Sequence, residues 1–128
     1  MAVDGFVLNI ADTPANERAF GRPQSGRGPG AFPKVRVLAL CETGSHVIWK
    51  FLIKHILCSE ISMFSYLIRF LESNMLLLWD RGFLSYNSVR DVLGRGANLL
   101  IRIKSNRVFK PIMALSDGSF LTKLVTSQ

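Results

Sequence analysis

No uncharged apolar run in this chain reaches the ~20 residues that cross a bilayer. The most apolar region, residues 47–71, is interrupted by Lys50, Lys54, Glu60 and Arg69, which excludes a membrane-spanning segment there. The start of the chain has no basic stretch, and Asp4 stands where an export signal would be apolar, so a cytoplasmic protein is expected. Cysteine and histidine are scarce. Cys41, Cys58, His46 and His55 do not form a zinc-ligand spacing, and the two cysteines are expected to be ordinary buried thiols rather than a disulfide. Acids are outnumbered, nine against sixteen Lys and Arg, and the net charge of +7 calls for a polyanionic partner, nucleic acid before an anionic membrane surface. Glutamate is absent after Glu72.

What is present is apolar enough to fold. A hydrophobic fraction of 48% over 128 residues argues for one core and against a disordered chain. Residues 2–12 alternate loosely and read as a strand, with Asp4, Phe6, Leu8 and Ile10 on one face. Residues 13–33, dense in Gly, Pro and Arg, are expected to be an extended loop. Residues 34–53 read as a hairpin turning at "ETGS". Helical spacing follows: Ile61, Phe64, Leu67, Ile68 and Leu71 share a face, and Ser59 is placed to cap. Residues 75–79 form a continuous apolar run, expected to be a strand buried on both faces in a largely parallel sheet. A short helix ending at Gly94 or Gly96, a strand over "NLLIRIKSN" and two short strands around "DGS" complete a mixed α/β order.

Asp80 ends the apolar strand, the position where open α/β sheets hold ligands, although a strand-end aspartate also serves as a turn or cap residue. Asp4 lies inside the first strand, where a carboxylate on an apolar face is costly unless it is paired or binds a metal. Two such acids on neighbouring strands would offer hard oxygen ligands suited to magnesium, the kind of site that serves phosphoryl transfer.

The stretches "VDGFVLNIADTPANERAFGRP", "GAFPKVRVLALCETGSH", "MLLLWDRGF" and "NLLIRIKSN", in this order, resemble bacterial DDE transposases of the insertion sequence four type over nearly the whole chain. The resemblance implies an RNase H-like mixed sheet with flanking helices, incomplete here. It implies a partial catalytic core over residues 1–107 and the start of a β-rich insertion over residues 108–128. It further implies two magnesium or manganese ions, DNA at transposon ends and target as partner, and a possible homo-oligomer in the intact family. The activity implied is metal-dependent cleavage and strand transfer of phosphodiesters at insertion-sequence ends. Asp4 and Asp80 match the first two catalytic acids. The third, a glutamate in a Tyr-Arg-Glu-Lys signature, has no counterpart; neither Asp91 nor Asp117 matches it. The chain therefore reads as truncated at both ends and inactive alone. Phe6 and Trp79 depart from the small residues common at their positions; Trp79 is expected in the core, with stacking on a DNA base as the other reading.

Arg18, Arg22, Arg27 and Lys34 sit in the Gly-rich loop, which lacks the Gly-Lys-Ser/Thr ending of a phosphate-binding P-loop. With the resemblance, the loop is expected to contact DNA phosphates. Arg102 and Lys104 are expected to share a strand face that either lines a DNA channel or is an exposed edge face, and Arg81 either contacts a phosphate or pairs with an acid. The alternative to a transposase is a non-catalytic basic DNA-binding remnant.

Overall fold

In a computed structural model the described residues are 1–26 and 28–125; Arg27, one of the loop arginines, lies outside them. The first strand, β1 (Ala2–Asn9), is followed by a helix, α1 (Pro14–Phe20), where a plain loop was expected. The reason is local. Thr13 is extended and its hydroxyl accepts from the Asn16 amide, and proline occupies the first helical position, where its missing N–H costs nothing. Two short strands, β2 (Gln24–Ser25) and β3 (Gly28–Pro29), then pair with each other.

The hairpin forms as read. Strand β4 (Lys34–Cys41) pairs antiparallel with both β1 and β5 (Ile48–His55). Next comes α2 (Glu60–Leu67), tightening into a 3-10 turn over Ile68–Phe70. Ser59 caps it, its hydroxyl accepting from the Ser62 amide at 3.1 Å. Met63, Phe64, Leu67, Ile68 and Leu71 are buried; Ile61, expected among them, is 47% exposed and Met63 takes the inward place. Strand β6 (Leu76–Trp79), a 3-10 turn (Arg81–Phe83), α3 (Tyr86–Leu93) and β7 (Asn98–Ile101) follow. A separate hairpin of β8 (Pro111–Ala114) and β9 (Phe120–Thr122) is exposed throughout.

The main sheet runs β5-β4-β1-β6-β7. It is mixed: antiparallel from β5 to β1, parallel from β1 to β7. One face is packed. Val3, Leu38, Leu40, Leu77 and Trp79 meet Met63, Phe64 and Leu67 of α2 and Val92 of α3, with Leu52, Leu99 and Ile101 at the margin. The other face is buried at Val35 and Val37 on β4, but Phe6, Leu8, Phe51, Ile53, Leu76 and Leu100 lie open on it. The expectation of a doubly buried β6 in a largely parallel sheet is thus corrected. Leu77 and Trp79 are buried while Leu76 is exposed, because no helix covers the second face of β6. Among the described residues no helix is long and apolar enough to cross a membrane. Cys41 and Cys58 are both free thiols, half-buried rather than fully buried as expected.

Candidate active site and nucleic-acid interface

Asp80 follows directly on β6. Its backbone is extended (φ −85°, ψ 167°) and it precedes the 3-10 turn in the capping position, yet its side chain makes no capping hydrogen bond; only its carbonyl accepts, from Phe83 N at 3.2 Å. Asp80 is exposed, and among the described residues its carboxylate has no hydrogen-bond or ion-pair partner. The turn-capping reading therefore has no support in the side-chain geometry.

Asp4 is also exposed, so burial does not force its carboxylate into a pair; Oδ1 accepts only from the next amide, Gly5 N, at 2.8 Å. The two acids are adjacent through the backbone. Ala2 pairs with Leu78 and Val3 with Trp79 on parallel neighbours, and Asp4 and Asp80 come next on each strand. Both acids line one open depression of about 490 Å³ with Val3, Leu78, Trp79 and Leu100. Two exposed carboxylates on one depression, neither in an ion pair among the described residues, are hard oxygen donors of the type magnesium takes. Among the described residues no group of three or more His, Cys, Asp or Glu could hold a metal. Asp91 is taken by Arg90 at 2.7 Å. Asp117 accepts from the Ser119 hydroxyl and amide, which hold its pKa below the ordinary carboxylate range.

Trp79 belongs to the core. It is 5% exposed and packs edge-on against Phe64 at 4.8 Å between centroids, with Phe83 tilted at 6.2 Å. Its Nε1 finds no acceptor among the described residues.

The cations divide. Arg22, expected to face phosphates, closes the loop instead. It pairs with Asp12 and with Glu17 (3.1 Å) and donates to the carbonyls of Gly30 and Ala31. Arg18 is exposed on α1, and Lys34 opens β4 half-buried. Arg102 and Lys104 do not share a strand face, because β7 stops at Ile101; Arg102 N donates to Trp79 O at 3.3 Å, the last link to β6. Arg81 and Lys104 converge with Arg107 on a pocket of about 450 Å³ that also includes Gly82 and Asn106 and no carboxylate. None of these three cations is in an ion pair among the described residues. Arg107 was not among the residues expected to bind. The tight turn that brings it back, Arg107 N donating to Lys104 O at 3.0 Å, was its only signal in the sequence "KSNR".

Comparison with known proteins returns one informative likeness. The chain is 28% identical over 129 aligned residues, 99% of its length, to the transposase InsG for insertion sequence element IS4 of Escherichia coli (strain K12), and that stretch is 29% of the relative. The chain thus spans under a third of the relative's length. No family profile and no solved structure matches. The likeness, which runs over nearly the whole of this chain, supports a relationship to transposases.

Proposed function

We propose that this chain is the RNase H-like portion of a DDE-type insertion-sequence transposase, with Asp4 and Asp80 as two of its metal ligands. The observation that carries this reading is the pair of exposed carboxylates, Asp4 near the start of β1 and Asp80 just past the end of its parallel neighbour β6, that line one depression. The mixed sheet, α2 and α3 packed on one face and the likeness to an IS4-element transposase support it.

Asp4 and Asp80 would hold magnesium or manganese, which when bound activates an attacking oxygen and stabilises a leaving one in phosphodiester chemistry. The chain's own residues do the rest. Arg81, which follows Asp80 directly, holds phosphate with Lys104 and Arg107, Arg18 and Lys34 extend the basic surface, and Arg102 lies two residues before Lys104. DNA at element ends and target is the proposed substrate. Two carboxylates do not make the triad that the reading calls for, so on its own the chain is proposed to bind metal and DNA but not to cleave.

The test is a magnesium or manganese titration followed by heteronuclear NMR, with fluorescence anisotropy of labelled duplex DNA beside it. Shifts centred on Asp4 and Asp80, abolished in Asp80→Asn, are expected. A non-catalytic DNA-binding remnant, favoured because among the described residues no third ligand groups with Asp4 and Asp80, gives DNA binding but no metal-dependent shifts. That outcome overturns the metal-site reading.

A further inference from the structure

On the packed side of the sheet, at its β5 edge, three cations rest on aromatic rings. Lys50 and Lys54 project from β5 on either side of Leu52, which packs against the core. Lys50 Nζ stands 5.0 Å from the Phe70 centroid and 5.6 Å from that of Trp49. Lys54 Nζ is 5.8 Å from the Tyr66 centroid, and the Arg69 guanidinium lies 5.6 Å from the same ring. Trp49 and Phe70 meet edge to face at 6.3 Å. Tyr66 and Phe70 are one helical turn apart, matching the two strand lysines, so cation and ring alternate along the seam between β5 and α2. Among the described residues none of the three cations is in an ion pair, and the nearby Glu60 is taken by Arg36 at 2.7 Å.

We infer that this seam is a second docking strip for the DNA backbone, separate from the acid site. The inference rests on the proposed DNA-acting function. Register puts the strip on the side of the sheet opposite Asp4. Asp4 pairs with Ala39 and Ala39 with Phe51, out of phase with Lys50, Leu52 and Lys54, and two strands away. β5 is the sheet edge, so the strip lies at a rim that a rod-like polyanion can reach. The rings hold the lysines in place before a ligand arrives, which lowers the ordering cost of each new contact. Lys50 and Lys54, four strand residues apart, stand about 13 Å from each other at ~3.3 Å per residue. That is close to four base steps of ~3.4 Å along a duplex axis, a repeat that phosphates supply.

The full chain is compared with Lys50→Gln/Lys54→Gln/Arg69→Gln for binding to labelled duplex DNA across a salt series, in EDTA so that the acids hold no metal. Loss of three phosphate contacts should flatten the slope of log affinity against log salt by ~2.7. A milder variant, Lys54→Gln/Arg69→Gln, alters only the exposed Tyr66 end and should flatten it by ~1.8; it serves if the triple variant fails to fold by its NMR spectrum. An unchanged slope in a folded variant overturns the strip while leaving the acid site standing. Failure of the parent chain to bind DNA overturns both. A variant that loses binding to vesicles of phosphatidylserine but keeps its DNA slope assigns the strip to membranes and also overturns the inference.

Discussion

Asp4 and Asp80 stand one residue beyond Val3 and Trp79, the last paired residues of two parallel neighbouring strands. Val3 and Trp79 point into the packed side, so their successors leave the sheet toward the open side. The position of the acids is therefore set by how firmly their predecessors are buried.

Trp79 is the anchor on the β6 side, packed against Phe64 and Phe83. Trp79→Ala should cost about 3–5 kcal/mol by the usual scale for a buried aromatic. Trp79→Phe should cost far less, because the lost indole N–H has no acceptor among the described residues and its burial is unfavourable. Urea denaturation of both variants checks this. A Trp79→Ala loss below about 1 kcal/mol would show that the acid-bearing strand end is not held by this side chain.

Much of this arrangement was legible in the sequence. Period-two alternation located β1 and the β4–β5 hairpin, and the Ser59 cap located α2, because those signals are local. The misses have physical causes outside the local pattern. Glycine and proline density hid the Thr13–Pro14 helix start. Alternation continues to Lys104 and suggests a longer β7, yet Trp79 is the last partner β6 provides, and a ladder cannot outrun its neighbour. The apolar run of β6 suggests burial on both faces because it cannot report which sheet face receives a helix. The neighbouring placement of Asp4 and Asp80 follows from strand order, but the ring-held cations beside α2 leave no local trace, since they join strand and helix residues 12 to 20 positions apart.

Arg22 tests whether the loop cation serves the fold or the DNA. Its bond to Glu17 leads in raising the guanidinium pKa above the ordinary value, opposed by burial and aided by Asp12. Arg22→Gln should speed proteolytic cleavage within residues 12–33, where Asp12, Glu17, Gly30 and Ala31 lose their common partner. Its DNA salt slope should change by much less than the ~0.9 expected for one phosphate contact. A full loss of one contact with unchanged proteolysis would reassign Arg22 to DNA.

The hairpin turn carries a pH signature. Glu42 accepts from the Ser45 hydroxyl and from the Gly44 and Ser45 amides. The Ser45 hydroxyl leads in lowering its pKa from 4.5 to about 2. Because the folded value lies below the ordinary one, the charged form favours the closed turn. That support is complete above about pH 4.5 and is lost as the pH falls through 2. The Gly44 and Ser45 amide resonances should therefore titrate with a midpoint near 2, and Glu42→Gln should abolish the transition. A midpoint near 4.5 would mean that the turn bonds do not form in solution.

Arg107 is the most direct test of the basic pocket beside Asp80. Arg81, Lys104 and Arg107 line it without a carboxylate to neutralise them. If all three hold phosphate, Arg107→Gln should weaken duplex binding at low salt and lower the salt slope by ~0.9, a uniform loss across DNA sequences because backbone contacts carry no base information. Arg81→Gln should do the same, and the two losses should add, since each removes one counterion-releasing contact. The side chain of Arg90, tied to Asp91 on α3, supplies the control: Arg90→Gln should leave the slope unchanged. Equal effects at Arg90 and Arg107 would show that net charge alone, rather than convergence on this pocket, governs the affinity.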